Sequence, residues 1–206
     1  TKKAARSFTY SIQTFGCQLN ENDSEKLAGQ LDAFGLKPVS DPQLADLYLI
    51  NTCAIRENAS DRFFGHLGYS KTLKEAKPEM LIGACGCLMM KDVYVERIKQ
   101  SFQHVNFLFG PQDIHRLPEY LARAIEGEKT YVVGDEDPVV EDLPIHRTRK
   151  HRALVSIMYG CNNFCSYCVV PYARGRERSR TPEAILEEVR QLKEQGYNEV
   201  MLLGQN

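Results

Sequence analysis

Three cysteines lie close together in the stretch GCNNFCSYC, which covers residues 160–168. Cys161, Cys165 and Cys168 are separated by polar residues such as Asn162, a composition that is typical of a loop. Cysteine thiolates commonly bind zinc ions and iron–sulfur clusters in proteins. The residue types and their spacing therefore favour a metal site over buried structural thiols.

Zinc and an iron–sulfur cluster are the two centres that this loop could hold. Structural zinc sites use four Cys or His ligands, whereas the loop supplies three thiols and the nearest histidine, His151, precedes a predicted strand. A 4Fe-4S cluster held by three thiolates leaves its fourth iron open to a substrate or cofactor. The spacing therefore favours the cluster, with zinc as the alternative.

Three further cysteines, Cys17, Cys53 and Cys87, recur at intervals of 36 and 34 residues. Each follows the end of a predicted strand, and the carboxyl ends of parallel strands meet at one edge of a sheet. We therefore expect these thiols to converge, the alternative being three unrelated core residues. Cys85 lies within the apolar run MLIGAC and is predicted to be a strand residue outside this set.

Strands and helices alternate along residues 1–133, which predicts an α/β domain with an open parallel sheet and helices on both faces. Asp23 or Ser24 is the expected N-cap of the first helix, and Gly35 its stop. The predicted strands are 8–14, 46–52, 80–85, 106–110 and 129–133, and the predicted helices are 22–35, 56–76, 92–101 and 113–126.

Residues 134–152 switch from acidic to basic and are predicted to form an exposed linker. A second unit, 153–206, begins with a predicted strand at 153–159 and continues after the cysteine loop with a helix at 181–196 and a strand at 199–203. Thr181 is the expected N-cap of that helix. This order of strand, loop, helix and strand predicts the start of a (β/α) barrel. Because such a barrel needs roughly 200 residues, we expect the remainder to lie outside this chain.

Composition and charge limit the partners and the cellular compartment that we expect for the chain. Lys and Arg number 26 against 27 acidic residues, so the overall charge does not indicate a nucleic-acid partner. No apolar run has the length of a membrane span, and the basic start lacks the apolar core of a signal peptide. We expect a cytoplasmic protein, in which seven reduced cysteines indicate metal binding or catalysis.

The spacing C-x3-C-x2-C directly after the first strand of a β/α unit resembles the radical S-adenosylmethionine superfamily. In that superfamily the open iron binds the amino and carboxylate groups of S-adenosylmethionine, and an electron from the cluster cleaves it to a 5′-deoxyadenosyl radical. The resemblance implies that Tyr167 lies near the adenine and that Gly204 approaches the methionine amine.

A more specific resemblance covers nearly the whole chain. The motifs TFGCQLNENDSE, NTCAIRENA, GCLMMKD, GCNNFCSYCVVPYARGRERSR and LLGQN are similar, in order and spacing, to the radical S-adenosylmethionine methylthiotransferase family. The resemblance implies that Cys17, Cys53 and Cys87 bind an auxiliary 4Fe-4S cluster, giving two 4Fe-4S clusters and S-adenosylmethionine as cofactors. It also implies a partial barrel followed by a small C-terminal RNA-binding domain, which this chain does not include.

The same motifs are most similar to bacterial family members that add a methylthio group to C2 of isopentenyl-adenosine beside the anticodon. Sister members that act on threonylcarbamoyl-adenosine tRNA or on an aspartate of a ribosomal protein are the alternative. Residues 147–180 hold eight Lys or Arg and one acid, Glu177, and such side chains contact phosphates. The predicted tRNA contacts are Arg174, Arg176, Arg178 and Arg180.

The expected partners are the anticodon stem-loop of tRNA and an electron-donor protein, and we expect a monomer without a membrane contact. A solvated basic face, or contacts to a cofactor carboxylate, is the alternative explanation of the arginines. Two function classes remain as rivals: a two-cluster electron carrier without a substrate, and a zinc-bearing RNA-binding module.

Overall fold

The computed structural model describes residues 7–54, 59–134 and 139–205. Four predicted features therefore lie outside the described residues, in whole or in part: the basic start 1–6, residues 55–58 of NTCAIRENA, the acidic stretch 135–138 and Asn206. Across the described part of the chain, no helix combines the length and the apolar character that a membrane span requires.

Parallel strands build the sheet of the N-terminal unit. They are β1 Thr9–Thr14, β2 Lys37–Pro38, β3 Leu47–Thr52, β4 Leu81–Gly86, β5 Phe107–Phe109 and β6 Thr130–Val132. Their order across the sheet is β2-β1-β3-β4-β5-β6, and each neighbouring pair is parallel. The central strand β3 is buried along its whole length, as its continuous apolar sequence predicts for a strand that is covered on both faces.

Helices cover both faces of this sheet. They are α1 Gln18–Ala33, α2 Ala59–Ala76, α3 Asp92–Ser101 and α4 Leu117–Ile125. Alternate residues of β3 enter two different cores: Leu47 and Leu49 pack with residues of α1 and α4, whereas Tyr48 and Ile50 pack with residues of α2 and α3. The predicted parallel sheet with helices on both faces is therefore confirmed.

The start of α1 differs from the sequence prediction. The helix begins four positions earlier, at Gln18, and Cys17 occupies the N-cap position. Asp23 and Ser24 lie inside the helix, where Asp23 pairs with Arg174 and Ser24 hydrogen-bonds with Thr14. The prediction that either residue caps the helix is wrong, because tertiary partners satisfy both side chains.

The second unit contains one complete strand–helix–strand motif. Its elements are β7 Arg152–Ser156, β8 Met158–Tyr159, α5 Val170–Arg174, β9 Arg178–Ser179, α6 Pro182–Glu194 and β10 Glu199–Leu203. Strands β7 and β10 are parallel neighbours, and β8 pairs antiparallel with β9. The Thr181 hydroxyl accepts from the Ala184 N–H at 3.3 Å, which confirms the predicted N-cap. The partial barrel itself stays a prediction.

The predicted linker is partly a packed segment. Residues 139–147 are mostly half-buried, whereas 148–151 are exposed. Leu143 packs against the core between α1 and α4, and Arg147 forms ion pairs with Glu188 of α6 and Glu25 of α1. The prediction of an exposed linker is therefore wrong for 139–147, because its side chains bind elements on both sides.

Candidate functional site: two sets of three cysteines

Cys17, Cys53 and Cys87, named here the sheet-edge set, lie at the carboxyl ends of three neighbouring strands. Cys17 precedes α1 after β1, Cys53 directly follows β3, and Cys87 opens a short 3-10 turn directly after β4. The Cys17 and Cys53 thiols are hydrogen-bonded, and the charge of Cys17 contributes to the raised pKa of Cys87. The structure therefore places the three cysteines at one edge of the sheet, as expected, while their joint binding of a cluster stays a prediction.

Two glycines permit this close approach. Gly16 has φ +144°, and a Cβ added there would lie 2.8 Å from the Cβ of Cys53. Gly86 has φ +101°, and its added Cβ would lie 2.3 Å from the carbonyl oxygen of Thr52. Any larger residue would push the chain around Cys53 away from its neighbours, since only glycine adopts such a backbone without a steric penalty.

The thiols of the sheet-edge set have different electrostatic environments. The hydrogen bond with Cys53 lowers the pKa of Cys17 to about 5, and backbone N–H groups of Asn20 and Leu19 and the charge of Arg174 act in the same direction against burial. Burial raises the pKa of Cys87, although Arg174 opposes this effect. Cys17 is therefore favoured as a thiolate, the form that ligates metals.

Cys85 is separate from this set. It lies in β4, is 1% exposed and packs with the core between α1 and α4. Burial raises its pKa well above the ordinary value. A buried thiol of this kind behaves as a small apolar side chain, in agreement with the prediction of a strand cysteine.

A buried arginine joins the sheet-edge set from the second unit. Arg174 is 3% exposed, and its Nε donates to the Cys87 Sγ at 2.9 Å. Its Nη2 donates to Asp23 Oδ2 at 2.6 Å. Arg174 was predicted to contact tRNA phosphates, and this burial contradicts that prediction because its donors already bind protein groups. The sequence shows the arginine run but gives no signal that Asp23 is the partner.

Buried amides hold the polypeptide around Cys17 and Cys53 in place. The Asn20 side chain donates to the Thr52 carbonyl at 3.3 Å, and the Asn51 side chain donates to the Asn20 carbonyl at 2.9 Å and to the Ser24 hydroxyl at 2.9 Å. Sequence reasoning missed these residues. Their signal was the row of polar residues in QLNENDSE, which lies on a helix that is mostly buried.

Cys161, Cys165 and Cys168, named here the loop set, occupy the segment between β8 and α5. Cys161 is buried, Cys168 is half-buried and Cys165 is exposed. The Cys161 N–H donates to the Gly175 carbonyl at 3.2 Å, and the Cys168 N–H donates to the Cys165 carbonyl at 2.9 Å. Short backbone hydrogen bonds therefore order the loop, while part of it faces solvent.

The residues predicted to contact S-adenosylmethionine lie in this loop and directly after β10. Tyr167 is 92% exposed. Gly204 follows β10, and a Cβ added there would lie 3.0 Å from Cγ of Met158. The neighbouring Gln205 accepts from the Gly160 N–H at 2.8 Å through Oε1. Gln205 therefore contacts the start of the cysteine loop.

The remaining arginines of the basic segment differ in their surroundings. Arg176 is exposed, and Arg178 donates to the carbonyl of Arg174 at 2.9 Å. Arg180 is largely buried and forms ion pairs with Glu141 and Glu188. The prediction that Arg180 contacts tRNA is therefore contradicted too, since its guanidinium is bound by two carboxylates.

The donor sets fit an iron–sulfur cluster in their chemistry. Among the described residues, no group of three His, Cys, Asp or Glu side chains is placed to hold a single metal ion. A cluster takes its thiolates at separate irons, and each set supplies three thiols. The sheet-edge set also has glycine backbones that allow close approach, and the loop set has an open side at Cys165.

The large cavities of the described residues lie away from the cysteines. One cavity of about 430 Å³ lies between α1, α6 and the segment 140–147, and a second of about 440 Å³ lies beside β1. Neither is lined by a cysteine of the two sets. We therefore place the candidate site at the thiols, on their chemistry, and not at the largest cavity.

Comparison with known protein families identifies both units. Residues 9–110 match the model described as Uncharacterized protein family UPF0004, and residues 155–206 match the Radical SAM superfamily. The chain is also similar to curated proteins named tRNA-2-methylthio-N(6)-dimethylallyladenosine synthase. It is 49% identical over 98% of its length to the one from Geobacillus kaustophilus and 47% identical over 100% to the one from Desulforamulus reducens. It spans 38% and 46% of these two relatives, less than half of their length.

Proposed function

Because this chain belongs to the radical S-adenosylmethionine methylthiotransferase family, we propose that the whole protein is a tRNA methylthiotransferase. Its proposed product carries a methylthio group at C2 of isopentenyl-adenosine next to the anticodon. The observation that carries this proposal is the 47–49% identity, over nearly the whole chain, to relatives named for that reaction. The chain contributes the sheet-edge set and the second unit, named here the radical unit because its residues 155–206 match the Radical SAM superfamily.

The loop set is proposed to hold the 4Fe-4S cluster that binds S-adenosylmethionine. When bound, this cluster supplies the electron that cleaves the carbon–sulfur bond of that cofactor. Cys161, Cys165 and Cys168 would bind three irons and leave the fourth open. The exposed ring of Tyr167 is available to the adenine, and Gly204 leaves room beside Met158 for the methionine amine.

The sheet-edge set is proposed to hold the auxiliary 4Fe-4S cluster. Cys17, Cys53 and Cys87 would bind it from one edge of the sheet, as ligands of open α/β sheets are bound. The thiolate character of Cys17 supports this assignment. The count of two clusters rests on two separate sets of three thiols.

Contacts with tRNA are proposed for Arg176 and Arg178. Arg176 is exposed, and Arg178, two positions further on, is half-buried. Such contacts supply affinity without reading sequence. The anticodon stem-loop of tRNA, an electron-donor protein, a cytoplasmic setting and a monomeric state complete the proposal.

The test uses the full-length protein, reconstituted without oxygen and supplied with S-adenosylmethionine and dithionite. We expect a brown absorption spectrum, 5′-deoxyadenosine, and methylthiolated nucleoside from tRNA that carries isopentenyl-adenosine. Unmodified tRNA should react on the order of a thousandfold less well, because five buried carbons at ~0.8 kcal/mol each total about 4 kcal/mol. Mass spectrometry of the nucleosides gives the result.

Each rival function predicts a different outcome of this experiment. A zinc-bearing RNA-binding module would give no visible chromophore, and an electron carrier would give no 5′-deoxyadenosine. Equal turnover of both tRNAs would contradict the isopentenyl substrate. Activity confined to threonylcarbamoyl-adenosine tRNA or a ribosomal protein would assign the protein to a sister group.

A further inference from the structure

Arg174 connects the two cysteine sets. It is the last residue of α5, six positions after Cys168, and its side chain is fully enclosed. One edge of its guanidinium binds the Cys87 sulfur at 2.9 Å, and another donor binds Asp23 at 2.6 Å. A side chain from the second unit therefore ends on the sulfur of Cys87, one member of the sheet-edge set.

The backbone next to Arg174 is bound to the loop set. The carbonyl of Gly175, which has φ +74°, accepts from the N–H of Cys161 at 3.2 Å. Gly160 also has a left-handed backbone, and a Cβ added there would lie 2.2 Å from the carbonyl oxygen of Arg176. The first cysteine of the loop set therefore packs directly on the segment that carries Arg174.

The Asp23 contact extends this connection to Cys17. Asp23 is 2% exposed and lies in α1, whose N-cap is Cys17. The same helix binds the radical unit through Asn22, whose side chain donates to the Leu154 carbonyl of β7 at 3.0 Å and accepts from the Ser156 hydroxyl at 2.7 Å. A continuous path of hydrogen-bonded elements therefore runs from one cysteine set to the other.

We propose that Arg174 is a positioning residue that couples the two cysteine sets, by fixing their spacing and by placing a positive charge on the Cys87 sulfur. The proposed function supplies the clusters in this inference. Hydrogen bonds and net charge at the sulfurs set the reduction potential of an iron–sulfur cluster. Arg174 therefore raises the reduction potential of the auxiliary cluster, because a cation at a thiolate ligand favours the more negative, reduced state.

Burial argues for this role over a contact with substrate. A guanidinium that is 3% exposed and bound by a carboxylate and a thiol is enclosed by protein and is not accessible to a phosphate or a cofactor carboxylate from solvent. Arginine also presents a planar fork that binds two acceptors at once, whereas lysine offers a point charge. Lysine at this position should keep the charge and lose one of the two contacts.

The test measures the potential of the auxiliary cluster in isolation. Full-length protein with Cys161, Cys165 and Cys168 changed to Ala is reconstituted and titrated by electron paramagnetic resonance, with Arg174→Met, Arg174→Lys or the control Arg176→Met added. We expect a more negative midpoint reduction potential for Arg174→Met, an intermediate value for Arg174→Lys and no shift for Arg176→Met. A midpoint that stays unchanged in Arg174→Met would overturn the inference.

A second measurement keeps the result independent of the proposed function. If the triple-Ala background binds no cluster, the auxiliary cluster of the proposed function is refuted, and the coupling is then read from thermal unfolding of the full-length apoprotein. Arg174→Met and Asp23→Asn should each lower the midpoint temperature of unfolding. The double variant should lose less stability than the sum of the two single losses. Strictly additive losses would overturn the contact on which the inference rests.

The coupling can also be measured in the complete reaction, with both clusters present. Arg174→Met should still cleave S-adenosylmethionine but form less methylthiolated nucleoside for each 5′-deoxyadenosine. Arg174→Lys should recover part of that ratio. If Arg174→Met changes neither this product ratio nor the midpoint reduction potential of the auxiliary cluster, Arg174 is a purely structural residue and the proposal is contradicted.

Discussion

The two cysteine sets are built by different means. The sheet-edge set is fixed by strand ends, by the N-terminus of α1 and by buried amides, and two of its thiols are buried. The loop set lies on a short irregular segment in which Cys165 is exposed. The comparison indicates that one set is preorganised by buried surroundings, whereas the other is open to solvent at Cys165, as the proposed binding of a cofactor would require.

The largest expected difference between the two sets is in the reaction product that is lost when their cysteines are replaced. Changing Cys161, Cys165 and Cys168 to Ala in the full-length protein should abolish 5′-deoxyadenosine formation, because the proposed radical-generating cluster would lose its ligands. Changing Cys17, Cys53 and Cys87 to Ala should preserve that cleavage and abolish the methylthio product. Chromatography of both products from the same reaction gives the answer, and methylthiolation by the second variant would reverse the assigned roles.

Iron content sharpens the same comparison. Anaerobic reconstitution should load about eight irons, four for each 4Fe-4S cluster, and either triple-Ala variant should retain about half. Cys85→Ala is the matched control, because this thiol lies in the apolar core and not in either set. Iron and sulfide analysis measures the outcome, and a wild-type value of four would contradict the presence of two clusters.

A backbone substitution should break the sheet-edge set alone. Gly86→Ala combines a φ of +101° with a Cβ placed 2.3 Å from the Thr52 carbonyl oxygen, so we expect a destabilisation of at least about 2 kcal/mol. Iron should be lost from the sheet-edge set and kept by the loop set.

Gly35→Ala provides the matched control for Gly86→Ala. It has a similar φ of +80° with nothing within 4 Å of the added Cβ, so it should cost about 1 kcal/mol and leave the iron content unchanged. Thermal unfolding and iron analysis of both variants test the difference. Equal losses in the two variants would show that backbone strain, and not the contact beside Cys53, decides the effect.

The smallest effect concerns the surface beside the loop set. Arg176→Ala should weaken tRNA binding by a similar factor for every tRNA and reduce the slope of log affinity against log salt by about 1. Arg180→Ala should leave that slope unchanged, because its guanidinium is already bound by Glu141 and Glu188. Filter binding at several salt concentrations distinguishes them, and equal slopes for wild type and Arg176→Ala would remove Arg176 from the interface.

The sequence determined the chemistry-bearing residues and the general fold of this protein. Cysteine spacing and strand–helix alternation are local properties, and the alternation led to a parallel sheet that the structure confirms. The convergence of Cys17, Cys53 and Cys87 could be predicted as well, because strand ends in a parallel sheet share one edge. The end of α1 near Gly35 followed from the left-handed preference of glycine.

Only the tertiary structure decided which polar residues bind one another. In the sequence Arg174, Arg176 and Arg180 look alike, but two of them are enclosed by carboxylates that lie far away along the chain: Asp23 is 151 positions from Arg174, and Glu141 is 39 positions from Arg180. The pair of Glu141 with Arg180 also helps to hold the segment 139–147 against the second unit. Local pattern cannot show this, because burial of a charge depends on the partner that a distant segment provides.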